Sequence, residues 1–527
     1  MQLNYSKNMT LKRLLLTVVI SGLFPIAMWG QERDYSIEWS SEYRAKTAYF
    51  SNLLGATPQG FYTYKVGGKG FASFLGDEYF SYYDREHLEE QWVVQLKTWR
   101  YDGNRARLIR KQVLDSSIVL IYDAYNPRAN KHHILARELN AYGEITEPVL
   151  LESIESPDKA TNSISVKFSM DRKTIAVFAN PPKWRERNET FTVSVFDRDF
   201  KRKWGADLEL PYEGFRFNIV AFDVSNNAEV YLLGNYDNRR VLTSRDQGEY
   251  KLVIVKGDGP DDAVEYDLGL NDYVVQNIGI QCDLEGGETA ITGFYSERQW
   301  FNIDGAFFMT FDQNTGKPST VSLQKFDAEF VAQFNKSRAK KGKGIRRDFV
   351  FRDIVPKPGG GAYIVAEDYE VVQSSTRDPQ GNTIMRYHYY YNDIVALSVD
   401  PNGDINWYAH IPKRQQSVDD GGRNLGYLFL QTPEGIHFVY NDAKANQKRW
   451  GNKRLRSTNG KHGAQTVMVS ISNSGEMTYN VLKGGGKRFY VLPRSSAQIN
   501  RGADGAILLS LRGSKLMFGN ITFENNI

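Results

Sequence analysis

The chain has 527 residues, with 66 lysines and arginines against 62 aspartates and glutamates, so its global charge selects no class of partner. A single cysteine, Cys282, rules out an intrachain disulfide, and stability has to come from the core. No stretch after Gln31 has the length of apolar sequence that a membrane-spanning helix needs.

The first thirty residues read as a signal peptide. Lys7, Lys12 and Arg13 form a basic start, Leu14 to Ala27 an apolar centre too short and too proline-interrupted for a membrane helix, and Gly30 a small residue before the cut. No cysteine follows, which argues against a lipoprotein anchor. Residues 1–30 are therefore expected to be a leader and 31–527 one exported domain with no transmembrane segment, periplasmic or at the cell surface, with outer-membrane association an open option.

From Tyr35 onward strand patterns dominate and helix-period stretches are nearly absent. A hairpin of two short apolar strands around a tight polar turn recurs eight times. The second strands begin near Gly60, Ser117, Thr174, Ala228, Glu288, Gly361, Gly435 and Ala506, at intervals of 54 to 74 residues. Asn402-Gly403 and Ser474-Gly475 supply turns that need a positive φ. Strands recurring at this period predict an all-β protein, a single β-propeller of four-stranded blades. Eight blades are favoured over seven, the lower number applying if the pair within Thr47–Val66 belongs to the closing blade. The last repeat lacks a fourth strand, and Tyr35–Tyr43 lacks partners, so an N-terminal strand is expected to close the ring.

Lys167–Ala179 (KFSMDRKTIAVFA) resembles the repeat of TolB-type propellers, with Met170 and Arg172 where that repeat has Pro and Gly. The likeness covers one repeat and implies the fold. Tyr389–Gly422 is similar to a segment of uncharacterised exported proteins of Bacteroidota, for which no activity follows.

Motifs for chemistry are sparse. Asp400-x-Asn402-x-Asp404 begins like a calcium loop, but Ile405 and Ile411 stand where glycine and glutamate are required, so a plain hairpin is expected. The seven histidines form no zinc spacing; His437 reads as a hydrogen-bonded sheet residue and His132-His133 as an exposed loop. In the sixth repeat the strands read as Phe349–Ile354, Gly361–Ala366, Asp393–Val399 and Ile405–His410. Arg386–Asn392 (RYHYYYN) reads as an alternating strand pairing its tyrosines across the sheet, the alternative being a stacking surface for sugars or peptides. No catalytic residue, metal or cofactor is assigned.

Charge distribution carries more. In a four-stranded blade, loops from the second to the third strand and from blade to blade open on one face. Lys336–Arg347 holds seven basic residues and no acid, and Lys444–Lys461 holds seven more around Trp450. Glu86, Glu89, Glu90, Asp261, Asp262, Asp283, Glu285, Asp400 and Asp404 fall on the opposite face. Lys340, Lys341, Arg346, Arg347, Trp450, Lys453, Arg454 and Arg456 are the expected ligand-binding residues. They would dock an acidic envelope protein or an anionic glycan. Export and the near-neutral balance argue against nucleic acid. The alternative is a glycan-active hydrolase or lyase with a site in the central channel, where Arg352 and Asp353 are the visible candidates.

Overall fold

The computed structural model describes residues 35–44, 48–67, 77–156, 164–180, 188–237, 248–257, 262–297, 302–315, 317–451, 454–484, 489–499, 505–513 and 515–523. The expected leader, Asp261 and Lys453 lie outside them.

Among the described residues, eight antiparallel sheets follow one another along the chain. Within each of the first seven, spatial order follows chain order, except that Gln415–Val418 in the sixth adds to Thr383–Val399. Their second strands are Gly60–Gly67, Ile118–Asn126, Thr174–Ala179, Val230–Tyr236, Glu288–Ser296, Ala362–Arg377 and Gly435–Ala443; Gly505–Arg512 takes this place in the last. This is an eight-bladed propeller. The hairpin of Ala48–Ala56 and Gly60–Gly67 continues into Asp77–Asp84, which makes it a blade of its own and removes the seven-blade alternative.

Second strands are buried on both sides. Thr174–Ala179 (TIAVFA) and Gly435–Ala443 are buried at every position, because each blade is sandwiched between two others. Alternation then assigns partners. In the sixth blade Ala362, Ile364 and Ala366 pack with Phe294 and Phe308 of the fifth. Tyr363 and Val365 pack with Phe438 and Val469 of the seventh. Outer strands such as Pro318–Lys325 are largely exposed. The core is thus a ring of inter-blade layers rather than one central mass.

Both chain ends build the eighth blade. Tyr35–Trp39 pairs with Lys515–Phe523, from Tyr35 opposite Phe523 to Trp39 opposite Gly519. Gly519 is required there, since a Cβ would stand 2.9 Å from the Trp39 ring.

Three expectations change. Lys336–Arg347, read as loop, begins inside a helix, Ala328–Lys340. The sixth-blade strands do not stop at Ala366 and restart at Asp393; they run on as a ribbon, Ala362–Arg377 against Thr383–Val399. His132 is not exposed: it lies in the strand Lys131–Leu139, fully buried, with Nδ1 2.8 Å from Asp123 Oδ1. A double histidine looks polar in sequence, but strand alternation sends the first ring inward.

The turns on the acidic face tie blades together. The Asp171 N–H donates to Asn226 Oδ1 (3.0 Å), the Asn226 N–H to Asp283 (3.0 Å), and the Gly359 N–H to Glu285 (2.6 Å). Asp400 Oδ1 accepts the N–H groups of Asn402 and Asp404, both at 2.9 Å, so it closes its own hairpin. Much of that face's negative charge is structural.

Candidate functional site

The first basic insertion joins the fifth and sixth blades. Asp327 caps its helix, Oδ1 accepting the Phe330 N–H at 2.7 Å. Phe330 is buried against Phe326 and Tyr408, which anchors the helix on the blades. Asn335 breaks the helix with an extended backbone (φ −159°), and its Oδ1 restarts it by accepting from Ser337 and Arg338. Arg338 donates to the Gly344 carbonyl (2.8 Å) and to Asn302 Oδ1 (2.6 Å), and Ile303 and Ile345 exchange two backbone hydrogen bonds. The segment is therefore built, while Lys336, Lys340, Lys341, Lys343, Arg346 and Arg347 remain exposed.

Between helix and return lies a cavity of about 260 Å³, with Phe334 and Ile345 as floor and Arg338, Arg346 and Arg347 around it. Arg347 Nε stands 3.4 Å from Asp368 and 3.7 Å from Asp393. Burial raises the Asp368 pKa to about 6, against the opposing pull of Arg347. Burial also works against the charge of Asp393, but His410, the Lys413 N–H and Arg347 outweigh it and hold that carboxyl below its usual range.

The second basic insertion joins the second and third strands of the seventh blade. Asn446 is fully buried and organises it. Its Oδ1 accepts the Arg456 N–H (2.8 Å), and its Nδ2 donates to the Arg456 carbonyl (2.9 Å) and to Asp442 (2.7 Å). Thr458 is bound through its backbone to Arg414 and Gln416. Lys444, Lys448, Arg454 and Arg456 are exposed. Trp450 is not on this surface. It is 4% exposed, with its ring 4.6 Å from that of Tyr479. Only packing distinguishes an aromatic that anchors a basic loop from one that offers a stacking face.

Chain connectivity puts both insertions on one face of the ring, one as a blade-to-blade connection and the other as a second-to-third loop. It thus gathers Lys340, Lys341, Arg346 and Arg347 on one insertion, and Arg454 and Arg456 on the other. Trp450 falls beneath the surface. Arg338, Asp368, Asp393 and His410 were missed; they come from four separate elements, and no local motif marks them.

The channel is richer than its two sequence candidates. A cavity of about 460 Å³ is lined from several blades, by Arg172, Arg352, Asp353, Glu367, Tyr427 and Arg494 among others. The innermost strands carry a β-bulge in the first, second, fourth, fifth and sixth blades, inserting Leu54, Ile109, Val220, Asn277 and Arg352 respectively. Bulges re-aim side chains, and in the sixth blade the inserted residue is the charged Arg352. Arg352 donates to Glu367 through Nε (3.0 Å) and Nη2 (2.9 Å) and lies over the Tyr369 ring at 4.6 Å. Tyr427 donates to Asp353 at 3.3 Å; burial, and then the charge of Asp353, push its phenol well above the usual range. Among the described residues no group of three or more His, Cys, Asp or Glu side chains is arranged to hold a metal ion.

No protein-family model matches the chain, and no curated protein does. Solved structures similar to it include the WD40 domain of SCAP from fission yeast, 10% identical, covering 93% of this chain and 95% of that one at a TM-score of 0.39. A PL25 ulvan lyase is 11% identical, covering 79% and 91% at 0.34. A protein of unknown function from Bacteroides caccae is 9% identical, covering 68% and 93% at 0.26. No helix among the described residues is long and apolar enough to cross a membrane.

Proposed function

We propose that this chain is an exported, non-enzymatic binding or scaffold protein of a bacterial cell envelope. Its basic loop face docks an acidic protein surface or an anionic glycan. One observation carries the reading: two separate insertions on the same face hold exposed cations on backbones that buried residues have already fixed. Asn446 does this for Arg456, and the Arg454 carbonyl accepts from Arg449 Nη1 at 3.2 Å. Arg338 and the Ile303–Ile345 bridge do it for Lys340, Lys341, Arg346 and Arg347. Fixed guanidinium groups lose less entropy on binding than those of a loose loop, and their planar forks match carboxylate, sulfate or phosphate. The 260 Å³ cavity has room for such a group. Lys453 belongs to the same proposal, as does removal of the leader to leave a propeller beginning near Gln31.

The test is capture of envelope protein or glycan by tagged protein lacking residues 1–30, compared with a variant carrying Lys340→Glu, Lys341→Glu, Arg454→Glu and Arg456→Glu. Loss of a stoichiometric partner in the variant is the expected result. Equal capture by both proteins would sink the proposal.

A further inference from the structure

We infer that the central-channel cavity is a second binding site, separate from the basic face, for a small carboxylate-bearing molecule. Three guanidinium groups meet there, and each keeps donor capacity unspent. Arg352 uses Nε and Nη2 on Glu367, and Nη1 has no protein partner among the described residues. Arg494 uses Nε on the Leu425 carbonyl and Nη2 on the carbonyls of Gly421 and Gly422, and lies over the Tyr391 ring at 4.7 Å. Its Nη1 likewise has no protein partner among the described residues. Arg172 sits half-buried on a turn of the third blade with a positive φ of 61°, and its side chain has no partner among the described residues. It lines a cavity whose other walls come from the sixth to eighth blades, so the space extends across the ring axis.

The local charge is in excess. Glu367 is answered twice, by Arg352 and by the buried Lys413 at 2.8 Å. Among the lining residues, Arg172, Arg352 and Arg494 thus face two carboxylates, Asp353 and Glu367. A fold that holds two of these arginines by stacking and by fixed carbonyl or carboxylate contacts has preorganised them, which lowers the ordering cost of binding. The Tyr427 hydroxyl, with Asp353 as acceptor, suits a ligand that carries hydroxyl or amide groups beside its carboxylate. The volume of about 460 Å³ lies in the range of small-molecule sites. Two sources share this chemistry: an acidic sugar and a peptide C-terminus.

Calorimetric titration of the full mature chain decides the matter, with glucuronate, an N-acetylated dipeptide with a free C-terminus, and neutral glucose as probes. Saturable binding of glucuronate or of the dipeptide, with none of glucose, is expected, and the probe that binds identifies the source. Arg172→Asn should fold as the parent does, since this side chain makes no hydrogen bond or ion pair among the described residues and asparagine tolerates a positive φ. It should weaken binding about tenfold, the effect of one lost charge-assisted contact. Lys340→Glu with Arg454→Glu on the basic face should leave it unchanged, which separates this site from the proposed docking face. No saturable binding of either acid, equal binding of glucose, or affinity unaltered by Arg172→Asn and Arg494→Gln would each overturn the inference.

Discussion

Lys413 and Glu367 form an ion pair sealed in the interior, Nζ to Oε1 2.8 Å, with side-chain exposures of 0% and 2%. The ammonium is fully satisfied: it also donates to the Tyr391 carbonyl (2.9 Å) and to Gln415 Oε1 (3.0 Å). Gln415 in turn donates to the Asn441 carbonyl of the seventh blade. The pair therefore joins the base of the ribbon, where Glu367 sits, to the segment leaving the sixth blade and to the next blade. It also fixes the carboxylate that positions Arg352.

Removing one partner should be costly. Glu367→Gln leaves a buried ammonium whose pKa burial already depresses, and whose main counter-charge is then gone. We expect a loss of about 3–5 kcal/mol in urea unfolding, and a smaller loss when Lys413→Met is added. A double variant no better than the single one would show that the two residues act independently.

His437 gives a pH signature. It is buried between Thr432 and Ser470, and burial lowers its pKa to about 4. The unfolded chain takes up this proton near pH 6.5 and the folded one does not. Stability from this site is therefore complete above about 6.5, falls as pH drops towards 4, and levels off below. The shift corresponds to roughly 3 kcal/mol. Asp368, with its raised pKa, acts with the opposite sign between about 6 and 3.8. The comparison must therefore be by difference: His437→Gln should flatten the acid limb of the unfolding midpoint between pH 6.5 and 4. Parallel limbs would refute the assignment.

Trp450 separates packing from binding. Its ring is buried on Tyr479, so Trp450→Ala should cost about 3–5 kcal/mol in unfolding free energy. Arg454→Glu and Arg456→Glu, both exposed, should leave the melting midpoint almost unchanged while weakening partner binding more at low salt than at 0.5 M.

Ring closure rests chiefly on Tyr35–Trp39, with Tyr43 and Arg44 pairing further along the same strand. Deleting Tyr35–Trp39 uncovers the edge of Lys515–Phe523, including Ile521 and Phe523. A bare apolar edge recruits other chains. Light scattering should reveal oligomers and calorimetry a lower midpoint; a monomer of unchanged stability would show that the strand is dispensable.

The fold was legible because its signals are local. Each second strand is a short apolar run beside a turn, and the starts read from sequence fall within two residues of those in the structure, as Gly60, Thr174, Glu288 and Gly435 show directly. Ring closure was legible too, since one repeat lacked a strand and one N-terminal segment lacked partners. The two basic insertions were visible as charge runs, and strand parity was enough to assign them to one face.

What the sequence could not decide is where side chains point and what they meet. Trp450, His132 and Lys413 are polar or amphipathic residues whose burial depends on neighbours from distant segments. The channel cavity unites Arg172, Arg352, Tyr427 and Arg494, spread over four blades and the links between them. Strand periodicity is set within a few residues by backbone geometry, so one dimension suffices to read it. A converging site is set by how eight blades close around an axis, and that exists only once the ring is formed.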